Sequence, residues 1–313
     1  MIFLTSIIIL SKSSHIMIKN SVKISRLTKF GELSIGFIVI SMITTIPELM
    51  ISLMAIKNNN IELSVGSLFG SLITNICLIL GLIAVRKPLE LSGHPLKKLL
   101  WILPIIVLII STFFIFPSPS RLFGVILFLF FWVFIYYVIK EKIGIHVLKN
   151  KDKDYKNSHK PIKIYKSLFL LILGFFGILL SSNFTIESAS NIAKAFGISE
   201  FVIGSTIIAL GASIPELATT WEATKEGHKN LAIGNVIGES YIYVTLILGL
   251  VIMISPLKIE MAPFSELIFF VFLSTIFFWA FLGSWGRRRI DRLEGIILLI
   301  LYFIFILRSF HAF

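Results

Sequence analysis

Three acids, Glu48, Glu216 and Glu239, lie inside long apolar runs, whereas the others sit in loops or near the ends of such runs. Insertion scales put a charge at the centre of a membrane helix at roughly 2.5–3.5 kcal/mol, so ionisable residues there are rare and functional. Two of the three share a setting: Thr44-Thr45-Ile46-Pro47-Glu48 and Ala212-Ser213-Ile214-Pro215-Glu216. Proline cannot donate to the carbonyl four residues back, which is that of Ile43 in one segment and Gly211 in the other. The loosened turn offers backbone oxygens beside the hydroxyls of Thr44, Thr45 and Ser213 and a carboxylate. Hard oxygen ligands of this kind suit Na⁺ or Ca²⁺, the latter taking roughly six to eight. The same runs hold no Lys or Arg placed to neutralise these acids, so a bound cation or a proton must do so.

The next run in each case supplies a second polar wall, from Gly66-Ser67-Leu68-Phe69-Gly70-Ser71 to Thr74-Asn75 and from Gly234-Asn235-Val236-Ile237-Gly238-Glu239 to Ile242-Tyr243. The glycines are expected to permit close helix approach. Ser71 and Asn75 are four apart and share a helix face, as do Glu239 and Tyr243. Four helices then aim polar groups at one point.

The elements that must hold these groups are set by composition. The 313 residues are 56% hydrophobic and 15% charged, with a mean hydropathy of +0.93. Soluble domains run near 45–50% and about 25%. This excludes a soluble enzyme, a disordered chain and a disulfide scaffold, and the single cysteine, Cys77, lies in an apolar run as a packing residue. The six His form no HExxH motif, so a catalytic zinc site is not supported. The fold class expected is all-α: a polytopic membrane protein with ten transmembrane helices. At roughly 20 residues per span, these fall at about 1–22, 33–57, 62–85, 98–116, 121–139, 167–190, 200–224, 229–253, 264–283 and 293–310. MIFLTSIIILSKSS has the look of a signal core but lacks a preceding Lys or Arg, and reads as the first span.

The net charge of +12 does not indicate nucleic acid, because the basic residues occupy short loops that face anionic lipid. Loops after odd spans hold 23 of the 29 Lys and Arg, and loops after even spans hold 4. The asymmetry places the odd loops in the cytoplasm and both termini outside. Residues 140–166 are then a basic cytoplasmic linker between halves 1–139 and 167–313.

The halves are one sequence used twice. Shifted by 168, GELSIGFIVISMITTIPELMISLMAI lies on SEFVIGSTIIALGASIPELATTWEAT, Gly66 and Gly70 on Gly234 and Gly238, and Leu80-Gly81-Leu82 on Leu248-Gly249-Leu250. Because five spans is an odd number, the second copy enters the membrane inverted. Inverted repeats with motif-broken helices are the architecture of secondary transporters, with the site near the midplane. Glu32 and Glu200 match in the first turns of their spans and suit the helix dipole. Lys57 and Lys225 match at span ends as snorkelling anchors.

These motifs resemble the alpha repeats of the cation/calcium antiporter superfamily, the sodium/calcium exchanger group. The resemblance implies two inverted five-helix repeats and export of Ca²⁺ in exchange for Na⁺ or H⁺ by alternating access, with spans 1 and 6 rocking against the other helices. It implies no enzyme activity and no resident cofactor, and a multi-pass location in the plasma or inner membrane. It carries Glu48 and Glu216 onto the central Ca²⁺ ligands, Thr44, Thr45, Ser213 and Ser71 onto hydroxyl or backbone-oxygen positions, and Asn75 onto the polar position one turn later. The second repeat departs from the pattern. Ala212 replaces a usual Thr, leaving only its backbone oxygen, Glu239 stands where Ser is usual, and Tyr243 stands where Asp or Asn is usual. The acid lost at 243 is regained one turn earlier. The alternatives are a proton-coupled antiporter for another divalent metal and a non-transporting, exchanger-like membrane protein.

Overall fold

The computed structural model describes residues 8–9, 12–13, 15–21, 23–24, 35–57, 61–90, 100–116, 118–140, 161–195, 209–255, 261–284 and 289–311. Helix is present at each of the ten expected spans. Glu32, Glu200 and most of the linker lie outside the described residues.

In the first half, a wide-turn segment, Ile35–Ile40, leads into α1 (Ser41–Thr44) and α2 (Ile46–Lys57). They are followed by α3 (Ile61–Ile73), a π-helical segment Thr74–Ile79, α4 (Leu80–Arg86), β1 (Leu89–Glu90), α5 (Ile102–Ile115) and α6 (Arg121–Lys140). The second half runs α7 (Pro161–Ala195), α8 (Ala209–Ala212), α9 (Ile214–Lys225), α10 (Lys229–Ile242), a π-helical segment Tyr243–Ile247 and α11 (Leu248–Ile254). It ends with α12 (Met261–Trp279), β2 (Arg289–Ile290) and α13 (Arg292–His311). α7 begins at Pro161, a residue pre-set for the first helical turn, so its first residues fall within the expected linker 140–166.

The breaks in the helices repeat with the sequence. Thr45, between α1 and α2, has φ −80° and ψ 0°. Ser213, between α8 and α9, has φ −85° and ψ 4°. Each stands two residues before a proline, whose missing N–H interrupts the ladder. The two π-helical segments also match under the 168-residue shift, and such wide turns occur mostly at functional sites.

The two rods Ser64–Arg86 and Lys229–Ile254 form the centre: 83% and 78% of their apolar windows are enclosed, against 33% for Ile164–Ser181 and 39% for Ser265–Leu282. Each central rod packs on the fifth helix of the other half. A Cβ on Gly81 of α4 would sit 3.0 Å from the Gly295 carbonyl of α13, and one on Gly124 of α6 would sit 2.8 Å from the Gly249 carbonyl of α11. The halves are thus interleaved by two glycine-to-glycine crossings. Gly66 corrects the expectation drawn from its motif, because a Cβ there would meet nothing within 4 Å. The close approaches lie several turns farther along.

One small element was not anticipated. β1 and β2 pair antiparallel, Leu89 with Ile290 and Glu90 with Arg289. Lys229 Nζ also donates to the Pro88 carbonyl at 2.9 Å. These contacts hold the ends after spans 3, 7 and 9 on one face, in keeping with loops of the same parity.

Candidate functional site

Glu48, Glu216 and Glu239 come together at the centre, each buried: 3%, 0% and 0% exposed. The prolines place Glu48 and Glu216 in the first turn after a helix break. There the free N–H groups of a helix start favour a negative charge. Among the described residues, no Lys or Arg pairs with any of the three.

The three acids are not equivalent. Glu239 is held by donors from three helical segments. The Thr44 hydroxyl, whose one proton is shared with the Ile40 carbonyl at 3.0 Å, lies 3.0 Å from its Oε1, the Asn235 amide reaches the same oxygen in a short contact, and the Asn75 amide reaches Oε2 at 3.1 Å. Glu216 receives one bond, from the Tyr243 hydroxyl to Oε1 at 3.3 Å, while its Oε2 has no partner. Glu48 adjoins Tyr243 and Glu216, yet neither of its oxygens takes a hydrogen bond of good geometry. The hydroxyls of Ser71 and Ser213 and the carbonyl oxygens of Asn75 and Asn235 are likewise buried without partners.

A buried polar group without a partner costs roughly 1–3 kcal/mol, more if charged. Here several such groups, all able to offer oxygen, stand on the elements that carry Glu48 and Glu216 or on those packed against them. Two carboxylates and hard neutral oxygens, with no fixed positive charge beside them, are the chemistry that suits a bound cation. Thr45 and Ala212 are also buried, with Thr45 Oγ1 directed back to the Met42 carbonyl at 3.4 Å. Ala212 has no side-chain oxygen to contribute.

Sequence reasoning missed three polar positions. Asn235 is a hydrogen-bond partner of Glu239 and also donates to Thr220 Oγ1 at 3.4 Å. Ser52 and Thr220 are buried one turn past Glu48 and Glu216 and match under the 168-residue shift. That symmetric hydroxyl was the available signal. Lys225, expected to be a simple anchor, lies 3.4 Å from both oxygens of Glu222.

Comparison with known proteins agrees with this architecture. The profile of the family "Sodium/calcium exchanger protein" matches residues 1–140 and 166–311. The sodium/calcium exchanger MaX1 of Methanosarcina acetivorans is 28% identical, covering 99% of this chain and 98% of its own. The inner membrane protein YrbG of Escherichia coli is 28% identical over 75% of this chain and 73% of its own. The solved structure of the sodium-calcium exchanger NCX_Mj, soaked with 10 mM Na⁺ and zero Ca²⁺, superposes with a TM-score of 0.81 at 27% identity, covering 97% of this chain and 96% of that one. The likeness spans both halves and extends to the inverted ten-helix arrangement, so this multi-pass membrane chain belongs to the sodium/calcium exchanger protein family.

Proposed function

We propose that the protein exports Ca²⁺ across a cell membrane in exchange for a monovalent cation, by alternating access. Glu48 and Glu216 bind the metal, helped by Ser71, Ser213 and the backbone oxygens around Thr44, Thr45 and Ala212. The single observation that carries this reading is the set of buried, unpartnered oxygens on Glu48, Glu216, Ser71 and Ser213. Their desolvation is offset when a cation joins them. An empty site then resists crossing, and that resistance couples the two fluxes. Halves 1–139 and 167–313 are the two repeats, joined by the linker 140–166, and spans 1 and 6 rock against the other helices to open the site to one side at a time. The odd loops face the cytoplasm and both termini lie outside, in the plasma or inner membrane.

The co-ion is Na⁺ on the strength of family membership. A second reading, H⁺, is favoured by one feature of this chain. Glu239 already accepts from three side chains, and the Tyr243 hydroxyl already joins Asn75 to Glu216. A further Na⁺ at either group must share oxygens already engaged by those bonds. Uptake of ⁴⁵Ca²⁺ into proteoliposomes, driven first by an Na⁺ gradient and then by a pH gradient, separates the two. Uptake under either gradient that is lost in Glu48→Gln and Glu216→Gln supports the site. Uptake under neither gradient contradicts the transport reading, and uptake of Mn²⁺ or Mg²⁺ in preference to Ca²⁺ reassigns the cargo.

A further inference from the structure

A second group of ligand-type side chains lies away from the transport site, at the end of α9. His15 Nδ1 is 2.8 Å from Glu226 Oε1 and 3.2 Å from Glu222 Oε1. One ligand atom from each of the three residues lies within 4.8 Å of the other two. His15 belongs to the first helix, Glu222 to the last turn of α9, and Glu226 to the residue that caps it. Acids at a helix C-terminus oppose the helix dipole, and two of them four residues apart repel each other. Glu222 has little recourse to water, its side chain being 7% exposed. The arrangement therefore calls for positive charge: Lys225 answers it loosely, at 3.4 Å with a side chain that is 56% exposed, and the His15 imidazole lies against both carboxylates, in contacts that a metal would replace.

We propose that His15, Glu222 and Glu226 form a binding site for a divalent metal of the Zn²⁺ class, which ties the first helix to the helix that carries Glu216. Two carboxylates and one neutral imidazole balance a 2+ ion, and three protein ligands with a water in the fourth position make an open tetrahedral site. The imidazole selects against Ca²⁺, which takes oxygen ligands only. Tetrahedral bonds of about 2.0–2.2 Å set the ligand atoms roughly 3.3–3.6 Å apart. The present spacings reach that range by small side-chain rotations, while the Lys225 ammonium turns out to solvent. The site uses no residue of the transport centre, so it stands whether or not the Ca²⁺ reading holds.

The test is equilibrium ⁶⁵Zn²⁺ binding to the full chain in lipid nanodiscs, with excess Ca²⁺ present to fill the transport site. The wild type is expected to bind one Zn²⁺ per chain, as is Glu216→Gln. His15→Ala and Glu226→Gln are expected each to weaken binding about tenfold or more, while keeping Ca²⁺ exchange in zinc-free medium. Binding that is absent in the wild type, or unchanged in both variants, overturns the proposal. Co²⁺ provides a check on the unaltered protein. An intense visible spectrum of tetrahedral type supports the site, and a weak octahedral one overturns it.

Discussion

At the residue scale, the contrast between the three buried acids decides what each substitution does. Glu48 takes no hydrogen bond of good geometry, Glu216 takes one, and Glu239 has three neighbouring donors. Replacing Glu48 or Glu216 by Gln removes a charge facing the metal. Removing one partner of a buried pair costs roughly 3–5 kcal/mol, so Ca²⁺ uptake is expected to fall by about two orders of magnitude or more. Without Ca²⁺, Glu48→Gln is expected to leave the melting temperature unchanged or raise it, because a neutral amide replaces a buried acid that must otherwise hold a proton or stay charged without a partner. Its Ca²⁺-dependent rise in melting temperature is expected to vanish. Thermal unfolding with and without Ca²⁺ reads both effects. Glu239→Gln has the opposite sign. Its amide would face the amide of Asn75 or of Asn235, and turning Asn75 over relieves the clash only by withdrawing it from Tyr243. A loss of about 1–3 kcal/mol in stability follows. If Glu239→Gln also transports like wild type, Glu239 has no part in charge balance. All three central acids were legible because lipid makes them costly, and Glu48 and Glu216 also because duplication marks them. Asn235 was not, because its counterpart Ser67 bonds only the local Ser64 carbonyl at 3.1 Å and gives no sign of a partner across helices.

At the element scale, the glycine crossings carry the fold. A Cβ on Gly249 would sit 3.0 Å from the Phe128 amide nitrogen and 3.1 Å from the Gly124 carbonyl. These are backbone atoms that cannot turn aside. Gly249→Ala and Gly124→Ala are expected to cost about 1–3 kcal/mol each through overpacking, seen as a lower melting temperature. Gly66→Ala meets open space and is expected to be neutral or slightly stabilising, since Ala favours helix. The ten helices could be read from apolar runs, and the breaks at Thr45 and Ser213 from the prolines. The crossings could not. Gly124 and Gly295 are 171 residues apart, three out of step with the 168-residue shift that exposes the repeat. Their packing partners become visible only when the helices are assembled.

At the scale of the whole molecule, the account rests on inverted halves meeting around one site. The β1–β2 pair and the Lys229–Pro88 bond place three odd-numbered connections on one face. In the proposed orientation, which follows the charge asymmetry, that face is the cytoplasmic one. The lone cysteine, Cys77, is buried, so single cysteines introduced at exposed positions report sidedness cleanly. Lys87→Cys is expected to react with a membrane-impermeant maleimide only after cells are opened, and Ser118→Cys to react on intact cells. The reverse pattern would invert the topology while leaving the site intact. The central claim, that Glu48 and Glu216 together carry Ca²⁺ through alternating states, is tested most directly by Ca²⁺/⁴⁵Ca²⁺ exchange across proteoliposomes with no other gradient, a measurement indifferent to the co-ion. The account predicts rapid exchange in the wild type and none above background in Glu48→Gln or Glu216→Gln. Exchange at the wild-type rate in either variant would contradict it.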